Sequence, residues 1–214
     1  MVGFSLGEGL IDTPEQCDLV EVREGDDGIA IQMAVPADCF RRLDDRRRSL
    51  PGAGGCGLCG SQSLAEVMRL PAPVQAPAVS AAGISTALVA LHDAQPLNAR
   101  CHGLHAAGFA THAGELRLVR EDVGRHNALD KLVGALARGG HDPREGFVVA
   151  TSRASWEMVR KTASAGIGLL ATISAPTSLA IDLAARCGLT LVAFARRDAM
   201  SVYAGRLPEH PAAG

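Results

Sequence analysis

Aromatic side chains are scarce in this chain of 214 residues: phenylalanine, tryptophan and tyrosine together make up 3% of it. Its core therefore has to be built from alanine, valine, leucine and isoleucine, for which a hydrophobic content of 47% leaves ample material. A chain of this length forms one or two domains and buries enough surface to fold without covalent staples. Excess positive charge is also missing, since 21 basic against 23 acidic residues leave a net charge of −2. That balance argues against a non-specific nucleic-acid binder, which needs a basic field to displace counterions from phosphates. The one basic cluster, Arg41-Arg42 with Arg46-Arg47-Arg48, is interrupted by Asp44-Asp45 and reads as a solvated face. No stretch approaches the roughly 18 apolar residues of a membrane span, and no basic segment followed by an apolar one opens the chain. The expectation is a cytoplasmic protein with reduced thiols and no membrane partner.

Six cysteines, at 17, 39, 56, 59, 101 and 187, make an even count. Reading an even count as disulfides suits short secreted chains, not this one. Cys187 ends an apolar helical stretch and reads as a small buried hydrophobe. The informative pair lies in Gly54-Gly55-Cys56-Gly57-Leu58-Cys59-Gly60. Glycines on both sides permit unusual backbone angles, and only Leu58 has apolar bulk, so the segment suits chemistry better than core. A helix is expected to begin near residues 61–63, where Ser63 and Glu66 have capping-box spacing, and a thiol near a helix start is favoured as thiolate. Three chemistries remain open at this point. A zinc half-site would need two further ligands, for which His102 and His105 beside Cys101 are candidates; there is no second C-x-x-C. A dithiol oxidoreductase pair should follow a strand in a βαβ unit, and this one follows an arginine- and glycine-rich stretch. A sulfur carrier needs one nucleophilic thiolate with a neighbour to assist it, and the loop fits this third use best.

Along the chain, Leu19-Val20-Glu21-Val22 and residues 29–35 read as strands of a hairpin around the turn-rich residues 24–28. Residues 71–79 carry three prolines and read as a semi-rigid connector. A helix is expected over 84–91, a hairpin within 100–121 turning at 112–115, and a helix over 125–138 with Leu129, Leu132, Val133 and Leu136 as its apolar stripe. The last third reads strand 147–151, helix 154–165, strand 167–173, helix 177–187, strand 189–195. That β-α-β-α-β order implies parallel strands joined by right-handed crossovers. The expected domains are an N-terminal β-rich subdomain over 1–50, the thiol loop, short helix and connector over 51–79, and an α/β cofactor-binding domain over 80–214.

In open α/β sheets ligands bind outside the carboxyl ends of the strands. Those ends carry Ser152-Arg153, Ser174-Ala175-Pro176-Thr177-Ser178 and Arg196-Arg197-Asp198, hydroxyls and arginines suited to phosphate or pyrophosphate. Singly, Ser152 and Thr177 read as helix caps; together the three ends point to a phosphorylated ligand. A second polar cluster, Arg120-Glu121-Asp122-Val123-Gly124-Arg125-His126-Asn127-Ala128-Leu129-Asp130-Lys131, crowds charge into the start of the 125–138 helix and reads as an anion or substrate site.

Taken in order, Cys56-Gly57-Leu58-Cys59-Gly60, the 120–131 cluster, Ser152-Arg153-Ala154-Ser155-x-Glu157-Met158-Val159-x-Lys161, Ser174-Ala175-Pro176-Thr177-Ser178-Leu179-Ala180 and Phe194-Ala195-Arg196 resemble the formate dehydrogenase accessory sulfurtransferase family, over nearly the whole chain. The resemblance implies an α/β fold with a cytidine-deaminase-like domain, a homodimer, and a small N-terminal β-rich subdomain that looks truncated, because the chain starts near the family's Gly-Phe-x-x-x-Glu-Gly segment. It implies a sulfurtransferase that takes sulfur as a persulfide from a cysteine desulfurase and passes it to the molybdenum of bis-molybdopterin guanine dinucleotide, the cofactor of formate dehydrogenase. Carried over, Cys56 is the persulfide carrier and Cys59 its partner, while Phe194, Ala195, Arg196, Arg197, Asp198 and Ala199 contact the guanine dinucleotide. Cys101-His102-Gly103-Leu104-His105 departs from the family's Thr-Gly-Gly-x-His. The alternatives are a zinc deaminase relative or other C-x-x-C metal-binding protein, and a cofactor chaperone without sulfur chemistry. A zinc deaminase needs a His-x-Glu that is nowhere in this sequence.

Overall fold

The computed structural model describes residues 1–26, 28–47, 70–197 and 199–208, so Cys56, Cys59, the helix expected near 61–63 and Asp198 lie outside the described residues. The chain divides into two compact units, Met1–Gly7 with Leu70–Gly214, and Glu8–Arg69 between them. The segments on both sides of the smaller unit pack into the larger one. The first helix, α1 (Val2–Gly7), docks there with Val2 and Ser5 buried. In the proline connector, Val74 donates its N–H to the carbonyl of Cys187 at 2.9 Å, and Val79 is fully buried.

In the smaller unit, β1 (Asp18–Gly25) and β2 (Gly28–Ala34) form the expected antiparallel hairpin. Helix α2 (Ala37–Arg47) follows. From it Arg42 grips Asp12 with two 2.9 Å bonds, so this arginine of the basic cluster is paired rather than simply solvated. Cys17 and Cys39 are both buried.

The larger unit is built on a six-stranded sheet in the order β4-β3-β5-β6-β7-β8. Its strands are β3 (His105–Thr111), β4 (Leu116–Asp122), β5 (Gly146–Ala150), β6 (Leu169–Thr172), β7 (Thr190–Ala193) and β8 (Ser201–Ala204). The helices are α3 (Ala81–Asp93), α4 (Asn98–Cys101), α5 (Arg125–Arg138), α6 (Trp156–Ser164) and α7 (Ser178–Cys187). The expected β-α-β-α-β run is present: β5, β6 and β7 are parallel, flanked by antiparallel β3–β4 and β8. The outcome is a mixed α/β fold. Successive right-handed crossovers in one direction place α6 and α7 on one face. On the other face Ile84, Ala87, Leu88 and Leu91 of α3 close over Phe147, Val149, Leu169, Ala171 and Val192. As the composition required, this core is mainly aliphatic, with Phe147 as the one aromatic side chain in the cluster. Helix α6 starts two residues later than expected, because Ala154 is held in a parallel bridge with Pro176 and Ser155 supplies the cap. Cys187 is buried, which pushes its thiol up from the ordinary value. No helix among the described residues is long and apolar enough to cross a membrane.

Candidate functional site at the carboxyl edge of the sheet

Three loops leave the carboxyl ends of the parallel strands and are stitched into one rim by backbone hydrogen bonds. Ile173 N–H reaches Ala150 O at 3.2 Å, Ala154 N–H reaches Ala175 O at 3.2 Å, and Thr177 N–H reaches Ala154 O at 3.0 Å. Ala195 N–H closes on Thr172 O at 3.0 Å. Thr177 does cap α7, its Oγ1 accepting from Ala180 N–H at 3.2 Å. The cap of α6 is Ser155, whose Oγ accepts from Met158 N–H at 3.4 Å. Ser152, by contrast, is buried and donates its hydroxyl to the carbonyl of Arg153 at 3.1 Å.

Of the six residues expected to contact a guanine dinucleotide, five are placed here. Ala195 is buried, Phe194, Arg196, Arg197 and Ala199 are exposed, and Asp198 is outside the described residues. Phe194 has φ 48°, a left-handed conformation that is costly for a bulky L-residue and marks a site held in place by its surroundings. Arg196 N–H donates to Ala199 O at 2.7 Å, and Ser85 of α3 donates its hydroxyl to Arg197 O at 2.9 Å. The Phe194 ring lies 6.3 Å from that of Tyr203 on β8, a tilted aromatic pair at the sheet edge. Tyr203 was missed from the sequence, since the four residues of β8 are too few to show a strand period.

Antiparallel pairing of β3 with β5 brings the start of β3 to this same edge: Ala107 lies opposite Ala150, and Ala106 and Thr151 exchange hydrogen bonds at 2.9 and 3.0 Å. His105, one residue earlier, pairs with Asp122 at the end of β4. Helix α5 then begins with Arg125 and His126 after Gly124, which offers no side-chain cap. The three motifs singled out separately, around His105, 120–131 and 152–161, therefore converge. Their junction is His126, whose Nε2 lies 2.9 Å from Glu157 Oε2 and 3.3 Å from Ser155 Oγ. Cys101 is exposed, its thiol directed to Leu97 O at 3.4 Å.

The electrostatics follow from these neighbours. The hydrogen bond from His126 holds the Glu157 carboxyl below its usual range, against the burial that would raise it. For Asp122 burial pushes upward, and Lys131, the Gly124 N–H and the Asn127 amide together outweigh it. Burial pushes His105 below the ordinary imidazole value, reinforced by the charges of Arg125 and His126. Because Glu157 is depressed in the folded state, its contribution to stability is complete above the ordinary glutamate value of about 4.3 and is lost as pH falls through the lower folded value. A Glu157→Gln variant should accordingly lose less stability than wild type on acidification below pH ~4.3. Urea midpoints measured across that range check this, and parallel acid profiles would count against the pairing.

The FdhD/NarQ family profile matches residues 1–208. The sulfur carrier protein FdhD of Xanthomonas campestris pv. campestris (strain B100) is 50% identical over 203 residues, 94% of this chain and 72% of that protein. The protein of the same name from Cupriavidus necator is 50% identical over 204 residues, 95% of this chain and 71% of that protein. Among solved structures, one described as a formate dehydrogenase accessory protein from Desulfotalea psychrophila superposes with a TM-score of 0.67 at 28% identity, covering 95% of this chain and 75% of that one. A profile match running through every motif above, on a matching fold, makes this chain a member of the FdhD/NarQ family.

Proposed function

We propose that this protein is a sulfur carrier serving formate dehydrogenase. In this reading Cys56 carries the sulfur, with Cys59 as its partner thiol. The Cys56 thiolate attacks the outer sulfur of a cysteine desulfurase persulfide, the donor cysteine leaves as thiolate, and the new persulfide sits on Cys56. The Cys59 thiolate then attacks Cys56 Sγ, closing a Cys56–Cys59 disulfide and releasing the outer sulfur as sulfide to the molybdenum of bis-molybdopterin guanine dinucleotide, which is the substrate of the protein and not a resident cofactor. Phe194, Ala195, Arg196, Arg197, Asp198 and Ala199 contact its guanine dinucleotide part. The domain is of the cytidine-deaminase-like type, and the protein works as a cytoplasmic homodimer.

The observation that carries this reading is the 50% identity, over 94% of the chain, to a protein named for carrying sulfur. The description of the Desulfotalea psychrophila protein as a formate dehydrogenase accessory protein supports the second half of it. The rim at Phe194 supports the substrate's position, since an exposed ring and two exposed arginines suit a base and its phosphates. Intact-mass spectrometry after incubation with a cysteine desulfurase and cysteine tests the proposal. Wild type should gain one reductant-labile sulfur atom, and Cys56→Ser should gain none. Equal loading of the two would remove Cys56 from the role, and stoichiometric zinc in place of sulfur would replace the carrier with a metal site.

A further inference from the structure

The same edge of the sheet carries cationic groups whose nearby acids are already engaged. Glu157 is taken by His126. Asp122 accepts from Gly124 N–H at 2.9 Å, from Asn127 Nδ2 at 3.2 Å, and from Lys131. Glu121 accepts from the backbone N–H groups of Leu97 at 3.0 Å and Asn98 at 2.7 Å. Arg125 is left. Its Nε is shielded from solvent and meets no acceptor among the described residues, nor does the side chain form an ion pair with any of them. A guanidinium N–H withdrawn from water without an acceptor is costly, and such groups in native proteins call for an explanation.

The surroundings say what would satisfy it. Helix α5 has no acidic residue in its first turn and no side-chain cap, yet begins with Arg125 and His126, the reverse of the charge its dipole favours. His105 stands close enough that Arg125 and His126 both oppose its protonation. A planar guanidinium beside imidazole donors matches the oxygens of a phosphate-type anion.

We infer that Arg125, with His105 and His126, forms a binding site for a phosphate-type oxyanion, separate from the Phe194 rim. Strands β3 and β7 are three steps apart in the sheet, roughly 14 Å at the usual ~4.8 Å spacing. A ligand holding both ends is therefore longer than a single nucleoside. That extension rests on the guanine assignment made above, whereas the anion site does not.

Calorimetry with inorganic pyrophosphate and, separately, GDP tests this on the full chain carrying Cys56→Ser, so that sulfur loading plays no part. Arg125→Gln should weaken pyrophosphate binding at least tenfold, with Arg125→Lys in between, while Arg196→Ala should weaken GDP and leave pyrophosphate unchanged. In the parent, the Arg125 Nε–H resonance should shift on saturation with pyrophosphate, a readout that needs no variant to fold. Equal pyrophosphate affinity in parent and Arg125→Gln, or an unmoved resonance, overturns the site. Loss of pyrophosphate binding in Arg125→Gln with GDP binding unaltered by Arg196→Ala keeps the site and rejects the guanine assignment.

Discussion

Replacing Lys161 by methionine should destabilise the larger unit by ~3–5 kcal/mol, the usual cost of removing one partner of a buried ion pair. Lys161 Nζ lies 2.7 and 3.0 Å from the two carboxylate oxygens of Asp130, and the side chains are only 5% and 10% exposed. A lone exposed pair would be worth a fraction of that. Here, removing the ammonium takes a cation 2.7 Å away from a buried carboxylate on α5, where water cannot readily replace it. In a chain of this size the loss corresponds to roughly 6–20 °C in melting temperature. The combined Asp130→Leu, Lys161→Met variant should recover much of it, since an apolar pair of similar volume avoids the desolvation that the ion pair has to overcome. Urea unfolding of the three variants checks this; a Lys161→Met protein within ~1 kcal/mol of wild type would show the pair to be dispensable.

Gly3→Val should detach α1 from the larger unit. The backbones of α1 and α5 meet at a crossing with no room for a side chain. A Cβ on Gly3 would fall inside the carbonyl of Asp130, and one on Gly134 would come 2.9 Å from Gly3 N. Neither neighbour is a flexible tip that can swing away, so the strain is relieved only by moving the helix. Overpacking of this kind costs ~1–3 kcal/mol or more, and undocking sets the upper limit. Hydrogen exchange of the α1 amides is the direct measure: their protection should collapse while that of β5, β6 and β7 is kept. Unchanged α1 protection in Gly3→Val would refute the crossing. The two substitutions should not add, because Lys161 Nζ also lies 5.1 Å over the ring of Phe4 on α1. Whatever undocks α1 has already exposed part of what Lys161→Met removes.

The parallel core was legible in the sequence because strands covered on both faces are apolar throughout. Val148-Val149, Leu169-Leu170-Ala171 and Leu191-Val192-Ala193 are such runs, and all are buried. Helix α5 was equally plain, its stripe of Leu129, Leu132, Val133 and Leu136 wholly inside. Helix α1 and strand β8 were not foreseen. Six and four residues are too few for a period to show, and α1 is held by glycine contact rather than by an apolar stripe. At the candidate site each motif was visible in the chain, but their meeting was not. His126 and Glu157 come together only because β3 and β4 run antiparallel to the strands beside them, a choice of direction that no local pattern reveals. Arg125 was already part of a stretch that reads as an anion or substrate site, but only the fold shows that its acidic neighbours are engaged elsewhere.

The docking of α1 has a consequence for the order in which the protein is made. Gly3 is synthesised about 130 residues before the Asp130 carbonyl and Gly134 that receive it. At roughly 5–20 residues per second that interval is on the order of 6–25 s. The α1 residues thus wait for a docking surface made much later than they are. Well within that interval, the β1–β2 hairpin that follows α1 is complete on the nascent chain, while α1 itself still lacks its partner.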